Sequence, residues 1–278
     1  MSATNQELDT SLFVDYSSCL TKSINQPAIV EIVAMDQDDP KSMSFEEVAR
    51  FEYTYGRYLG NCDCIDDVYS IPYYTKCPGH SIGYTHYFEI ISHIYHDLIS
   101  ETGIHRITRE YDHLKNDKIR TSRIKVTVMP YYSDLKFTYK EDIKVEVHNN
   151  DPSSFQCDIS TNNAYTVKAT HLPTGITVVV NYPNAVENNV RLALNIVKSK
   201  VLHDFRAKLY MDKFKEITKY LEDDIIRDYM FTSKESYIVD HRTKKKITGD
   251  CCKNIFEYGH VDELSDGFES WCFSNCGL

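Results

Sequence analysis

The hydrophobic patterns along this 278-residue chain predict an α+β fold, with strands and helices in separate stretches of the sequence. Short runs rich in β-branched residues, which are typical of strands, occur at residues 28–34, 124–129, 143–147, 165–169 and 176–180. Two longer stretches, at 42–58 and 188–221, have apolar residues at helical spacing. A chain of this length corresponds to about two domains.

The first strand and the first helix follow each other directly. Residues 28–34 have the sequence AIVEIVA, and the acidic segment 36–40 ends this run. The apolar positions of the helix predicted at 42–58 are Phe45, Val48, Phe51 and Tyr55. Ser44 and Glu47 match a capping box, in which each side chain bonds the other residue's backbone amide, so we expect the helix to start there.

Residues 84–100 combine alternating and helical patterns, so periodicity leaves strand and helix both open there. Farther along, the runs at 165–169 and 176–180 are joined by the sequence THLPTG. Pro173 fixes φ and Gly175 permits positive φ, which predicts a hairpin turn. The long helix that follows has a predicted apolar stripe at Val190, Leu194, Val197, Val201 and Phe205.

The charge of the chain argues against a general nucleic-acid binder. The formal net charge is −10, whereas phosphate contacts need clustered Lys and Arg. The strongest basic run is Lys244, Lys245 and Lys246. A run of this kind is more often a solvated surface than a binding site.

The composition predicts a cytoplasmic protein with reduced thiols. Residues 1–27 are polar and aperiodic and are expected to form a flexible tail, and their acidic residues predict no signal peptide. No stretch approaches the ~20 apolar residues of a membrane span. The nine cysteines are an odd number without a secretory leader, which favours free thiols.

The cysteines and histidines do not predict a metal site or a cofactor. The cysteine pairs, Cys62 with Cys64, Cys251 with Cys252 and Cys272 with Cys276, lack C-x2-C spacing. Four histidines cluster in the sequence, at His80, His86, His93 and His96. We expect these side chains to lie at the surface or to support neighbouring groups, because no carboxylate completes a metal-binding pattern.

Six short motifs follow one another in a distinctive order. They are GIHRITR at 103–109, RTS at 120–122, THLPTGI at 170–176, IRDYMF at 226–231, VDHR at 239–242 and VDEL at 261–264. In this order and spacing they resemble the class I peptide-chain release factors of the bacterial and organellar type. Each motif alone would be weak, but together they cover most of the chain.

The resemblance implies a domain organisation. Residues 28–140 and 222–278 would form a release-factor-like decoding superdomain, and 141–221 would form an inserted GGQ-type α/β domain. The amino-terminal helical domain of the family would be short or absent. His105 and His171 lie in motifs where the family uses histidine mainly for structure, so no catalytic role is expected for them.

The resemblance also implies a Gly-Gly-Gln loop that approaches the peptidyl ester, and this chain departs from it. Glycine there permits positive φ and a close backbone approach. Residues 148–164 have the sequence HNNDPSSFQCDISTNNA, without glycine. The degenerate equivalent is Ser153, Ser154, Phe155, Gln156, Cys157 and Asp158, with Gln156 or Asp158 at the family's glutamine. We therefore predict no catalytic residues.

The stop-codon-reading elements of the family are changed as well. Tyr111, Asp112 and His113 stand where the family has its codon-reading tripeptide, and Asp112 would bring a carboxylate towards RNA phosphates. The turn at 35–40 is acidic and has no glycine. The remaining binding candidates that the resemblance marks are His105, Arg106, Arg120, Thr121, Ser122, Asn184 and Asn188, of which the two asparagines replace basic residues.

Because the changes fall on RNA-facing loops while the strands keep their character, the leading hypothesis is a non-hydrolytic binding protein associated with the ribosome. The expected partner is the ribosome or ribosomal RNA, with no membrane and no small-molecule substrate. A second hypothesis is an interaction or structural protein, of viral or organellar origin, that binds another protein without touching the ribosome. A third is a divergent but active release factor that uses Gln156.

Overall fold

A computed structural model describes most of the chain. The described residues are 27–36, 39, 42–62, 68–76, 82–90, 94–115, 118–131, 142–149, 165–181, 185–211, 225–268, 270, 271 and 274. All of the predicted tail at 1–27 except its last residue lies outside these ranges, as do the predicted domain boundaries near residues 140 and 221, so the domain division stays a prediction.

An eight-stranded sheet is the largest element of the fold. Its strands are β1 (Ala28–Ala34), β2 (Val68–Lys76), β3 (Ile82–Ile90), β4 (Gly103–Glu110), β5 (Ile119–Pro130), β9 (Ile225–Phe231), β10 (Ser236–Asp240) and β11 (Lys246–Thr248). The order across the sheet is β11-β10-β9-β4-β5-β1-β3-β2. Neighbouring strands are antiparallel except β4 and β9, which are parallel.

A second sheet has three antiparallel strands in the order β6-β7-β8. They are β6 (Ile143–Asn149), β7 (Tyr165–His171) and β8 (Thr177–Val180). The helices of the described chain are α1 (Ser44–Asn61), α2 (Tyr95–Leu98), α3 (Val186–Met211), α4 (Cys251–Tyr258) and α5 (Asp262–Ser265), and a 3-10 turn at Ile99–Glu101 follows α2.

Alternation along the strands divides the large sheet into two apolar faces. On one face Val30 and Ile32 of β1 join a core with Phe51 of α1 and Ile255 of α4. On the other face Ile29 joins a second core, which includes side chains of β7, β8 and α3. The large sheet therefore lies between the helices α1, α4 and α5 and the smaller sheet with its helix.

The α+β class is confirmed, and so is the strand predicted at 28–34, which is β1. The predicted capping box is wrong, because the helix is preceded by Met43 and no side chain caps it. Of the predicted apolar positions on α1, Phe45 remains 38% exposed. The ambiguous stretch 84–100 contains the end of strand β3, helix α2 and part of the 3-10 turn, which explains its mixed pattern.

The hairpin predicted between residues 165 and 180 is present as β7 and β8. Gly175 has φ +73°, and its amide donates to the carbonyl of His171 at 2.8 Å. The predicted stripe on the long helix is partly wrong, because Leu194 is only half-buried and is not among the residues of the core cluster. Val190 is also half-buried, but it packs against that cluster. The buried face consists of Leu192, Ala193, Ile196, Val197, Val201 and Leu202.

Within the described ranges, no helix combines the length and apolar character that crossing a bilayer requires. Groups of three or more potential metal ligands are likewise absent from the part of the chain that the structure describes. His86, expected at the surface or in a supporting position, is fully buried on β3 and faces Glu52 Oε2 at 3.3 Å. His80 and His93 lie outside the described residues.

Candidate functional site

Three of the six motifs lie side by side, because the motifs at 103–109, 226–231 and 239–242 fall on or next to the neighbouring strands β4, β9 and β10. Arg227 on β9 is fully buried and pairs with two carboxylates. Its Nη1 donates a hydrogen bond to the carboxylate of Glu101 in the 3-10 turn. Its Nε donates a hydrogen bond to Asp240 Oδ2 at 2.7 Å. Because buried charges are tolerated only with partners, this cluster is a structural centre and not an open binding site.

Arg242 and Tyr55 also belong to the buried cluster around Arg227. Arg242 donates to Asp240 Oδ2 at 2.8 Å and to the carbonyl of Ser100 at 2.6 Å. The Tyr55 hydroxyl donates to Glu101 Oε2 at 2.9 Å. Burial alone would raise the pKa of Asp240, but the two arginines hold this pKa well below its usual range. Two cations thus balance two anions inside the fold.

His105 belongs to the same cluster and is not accessible to a ligand. It is fully buried, and its Nε2 lies 2.9 Å from the carbonyl of Glu101. A carbonyl can only accept, so Nε2 carries the proton and Nδ1 accepts from the Tyr229 hydroxyl at 2.8 Å. Burial lowers the pKa of His105 to about 4, so the ring is neutral at pH 7.

Arg106 lies at the surface, but a carboxylate already occupies its guanidinium. Its Nε and Nη2 both bond Asp228 at 2.6 Å in a bidentate pair. His241 Nε2 lies 2.9 Å from the same carboxylate. The positive charge of Arg106 is therefore largely cancelled within the chain.

The three residues of the RTS motif have different surroundings on β5. Arg120 is half-buried, and Thr121 is exposed with its hydroxyl 2.9 Å from that of Thr108. Ser122 is buried and accepts from the amide of Met43 at 2.8 Å. Ser122 thus satisfies a backbone donor at the start of α1 and does not face solvent.

The equivalent of the family's codon-reading tripeptide, residues 111–113, forms a turn that is anchored at one end. These residues are called the codon-tripeptide equivalent. Tyr111 is buried, and its hydroxyl donates to Glu47 Oε1 of α1 at 2.7 Å. The amide of Leu114 donates to the carbonyl of Tyr111 at 3.2 Å and closes the turn. Asp112 and His113 are exposed. Only these two of the three predicted residues can contact a ligand.

Sequence analysis missed the role of Glu47, which it assigned to a helix cap. Glu47 is fully buried and bonds Arg109 Nε at 2.6 Å in addition to the Tyr111 hydroxyl. Burial raises the pKa of Tyr111 far above its usual range, and the neighbouring Glu47 carboxylate adds to this. An acidic residue within the apolar face of a predicted helix was the available signal.

The acidic turn after β1 neutralises another arginine. Asp36 accepts from the amide of Arg123 at 2.8 Å and from its Nε at 3.0 Å. The hydrogen bonds from Arg123 to Asp36 raise the pKa of the arginine. The carboxylate of Asp36 therefore joins the segment after β1 to strand β5.

The remaining predicted site residues are exposed or lie outside the described residues. Asn188 is exposed in the first turn of α3. Asn184 and the loop residues Ser153, Ser154, Phe155, Gln156, Cys157 and Asp158 lie outside the described ranges. The strands on either side of this loop, β6 and β7, form a regular antiparallel pair up to Asn149 and Tyr165.

Two buried carboxylates join α3 to the large sheet, and sequence analysis did not single them out. Glu89 of β3 is fully buried and accepts from Asn195 at 3.2 Å and from Arg191 at 3.3 Å. Glu31 of β1 accepts from Lys200 at 2.6 Å. Glutamates inside otherwise apolar strands were the signal for these contacts.

An open cavity of about 500 Å³ lies between α1 and α4. Its lining includes Tyr53, Phe231 and Phe256. The guanidinium of Arg109 lies 4.4 Å from the centre of the Phe231 ring and is also paired with Glu47. The cavity is thus lined by aromatic rings and a cation whose charge is already balanced.

Comparisons with known proteins agree with this fold and these motifs. The chain is 27% identical over 175 residues to peptide chain release factor 1 of Wolbachia pipientis subsp. Culex pipiens, covering 61% of this chain and 47% of that protein. It is 31% identical over 180 residues to peptide chain release factor 1 of Anaplasma marginale, covering 60% and 46%. No protein-family model matches the chain.

Among solved structures, RF2 of Thermus thermophilus is similar with a TM-score of 0.69 and 22% sequence identity, over 92% of this chain and 71% of that chain. The sequence matches and the fold similarity together support a class I release-factor-like family for this chain. The chain spans about half the length of the curated relatives it matches.

Proposed function

We propose that this chain is a cytoplasmic, non-hydrolytic release-factor-like protein that binds the ribosome. Its decoding-type sheet would serve as the binding scaffold, and no peptide would be released. The observation that carries the proposal is the composition of the segment between β6 and β7, where residues 148–164 contain no glycine. A side chain such as Phe155 obstructs the close backbone approach that ester hydrolysis in this family uses.

The environment of the codon-tripeptide equivalent supports the same proposal. Tyr111 is held by Glu47 on α1 and cannot reach outwards. The exposed residues Asp112 and His113 present a carboxylate and an imidazole where the family has its codon-reading tripeptide. A carboxylate repels RNA phosphates, so selective contact with a stop codon is not expected.

A second function, binding to a protein other than the ribosome, is favoured by the neutralised arginines. Arg106, Arg109 and Arg123 each form an ion pair with a carboxylate of the same chain. Since phosphate binding draws its free energy from unneutralised cations, these pairs reduce affinity for RNA. The net charge of −10 acts in the same direction.

Co-sedimentation with purified ribosomes distinguishes the two functions. We expect the full chain to pellet with ribosomes at low salt. Because few phosphate contacts remain, its affinity should fall only shallowly as the salt concentration rises. Protein that stays in the supernatant at every salt concentration would favour the second function.

A pair of charge variants sharpens the experiment. Asp112→Lys replaces the exposed carboxylate of the turn and is expected to strengthen ribosome binding at a given salt concentration. Asp204→Lys changes the charge equally at an exposed position on α3 and should have little effect. Equal effects of both variants would mean that the turn does not face the ribosome.

A further inference from the structure

Strand β6 is an edge strand with an exposed apolar stripe. It is the outer strand of the three-stranded sheet, and within the described residues it pairs only with β7. Val145 is 37% exposed and Val147 is 47% exposed. An edge strand offers a row of unpaired amides and carbonyls to which another strand can add.

The exposed valines continue the buried face of the sheet. Val145 lies opposite Ala169 and Val147 lies opposite Val167, and both partners on β7 are fully buried. Directly opposite residues in an antiparallel pair share a face. The apolar layer between the sheet and α3 therefore extends onto β6, where the valines stay in contact with solvent.

The opposite face of β6 carries alternating charges. Lys144 and Glu146 point to that face and form an ion pair at 2.7 Å within the strand. Asp142 immediately precedes the strand, and His148 lies near its end. Before Val145 the acid Asp142 lies farther away than the base Lys144. After Val145 the acid Glu146 lies nearer than the base His148.

This order is self-complementary in one antiparallel register. Residues opposite each other share a face, so a two-fold axis between two copies of β6 must pass through a residue. With the axis at Val145, Lys144 faces Glu146 of the second copy. In the same register Ile143 faces Val147 and Asp142 faces His148.

Neighbouring registers are less favourable. An axis at Lys144 or at Glu146 would place a charge directly opposite its own copy, which is destabilising. An axis at Val147 would place Val145 opposite the polar Asn149. Of the axes at Lys144, Val145, Glu146 and Val147, only the one at Val145 places acids opposite bases and apolar residues opposite apolar residues throughout.

We propose that this face is a homodimerisation surface, on which β6 pairs antiparallel with β6 of a second copy of the chain about a two-fold axis at Val145. The pairing joins the two small sheets into one six-stranded sheet. It covers the exposed valines of both copies and sets each Lys144 between two glutamates. The interface is independent of the proposed ribosome binding.

Charge reversal tests the register. Lys144→Glu and Glu146→Lys each place like charges opposite each other twice in the symmetric pair, so each variant alone should self-associate at least about tenfold more weakly. An equimolar mixture of the two variants should associate again, because every facing pair is then an acid with a base. Sedimentation equilibrium over a wide concentration range measures all three samples.

Two further variants serve as controls. The double variant with both substitutions restores the complementary pairs and should dimerise like the unmodified protein. Lys234→Glu reverses an exposed charge in the β9–β10 turn and should leave the dimer unchanged. Thermal unfolding of each monomer verifies the fold. A monomeric unmodified chain at all concentrations, or a mixture that does not associate, would overturn the proposal.

Discussion

Arginines of the eight-stranded sheet and its connections differ in their surroundings, and this difference determines what each side chain contributes. Arg227 and Arg242 are buried between Asp240 and the 3-10 turn. Arg106 and Arg123 lie at the surface, where they hold carboxylates in bidentate contacts. The first pair contributes to folding, and the second pair is neutralised by carboxylates of the same chain.

Replacing the buried arginine should be costly. Arg227→Met removes the cation that faces Glu101 and Asp240, and leaves buried carboxylates without their partner. We expect the free energy of unfolding to fall by about 3–5 kcal/mol, measured by denaturant unfolding. Arg106→Gln, which breaks an exposed pair, should cost less than about 1 kcal/mol. Similar losses in both variants would contradict the assigned role of Arg227.

The neutral buried His105 predicts that stability decreases in mild acid. Burial lowers the pKa of His105 to about 4, whereas an unfolded histidine titrates near 6.5. Between these values the unfolded chain binds a proton that the folded chain does not, so stability is lost as pH falls. From pH 7 to pH 5 we expect a loss of about 2 kcal/mol from His105 alone.

Denaturant unfolding at the two pH values measures this loss. His86 should add to the pH dependence of the free energy of unfolding, because burial lowers the pKa of His86 to about 3. His105→Gln should remove the His105 share of the pH dependence. A stability that is the same at pH 7 and pH 5 would exclude a neutral, buried His105.

At the residue scale, the sequence indicated which motifs matter but not how their side chains pair. His105 was expected to be structural, and its environment is buried as that expectation requires. Glu47 was assigned to a helix cap, although it lies among Arg109 and Tyr111. Such partners are more than 60 positions apart in the sequence, so no local pattern could show them.

Among the structural elements, the junction of α1 with α4 depends on one glycine. Gly259 follows α4 with φ +76°, and a Cβ there would lie 2.4 Å from the amide nitrogen of Tyr58. Gly259→Ala should therefore lower the free energy of unfolding by about 2 kcal/mol or more.

Gly56 is the matched control for this substitution. It is exposed within α1, and nothing lies within 4 Å of a Cβ placed there. Gly56→Ala should raise the free energy of unfolding by about 0.5–1 kcal/mol, since alanine loses less entropy in a helix. If both substitutions shifted the unfolding midpoint equally, the close contact at Gly259 would be disproved.

The buried face of an element was predictable where its hydrophobic residues follow one clear pattern. It was not predictable where apolar residues lie on two sides of the element. Strand β1 is apolar except for Glu31 and matches its predicted bounds. Helix α3 has apolar residues on both sides of its axis, and packing against β7 and β8 selects the face around Leu192 and Ile196. The sequence alone cannot show which side meets the sheet, so Leu194 was assigned to the wrong stripe.

At the scale of the whole molecule, the fold resembles that of a release factor, whereas the sequence of one connecting segment and the pairing of surface charges differ from what that function needs. The sheets match a release-factor fold over 92% of this chain. The segment at 148–164 lacks glycine, and surface arginines are paired within the chain. If the proposed function holds, the chain would occupy the ribosomal site of a release factor without releasing peptide.

The most direct test is release of formyl-methionine from ribosomes programmed with a stop codon. Added alone, the purified chain should release no formyl-methionine above background. Added in excess beside an active class I release factor, it should slow that factor's release by occupying the same site. Stop-codon-dependent release by the chain itself, abolished by Gln156→Ala, would contradict the account of a non-hydrolytic protein.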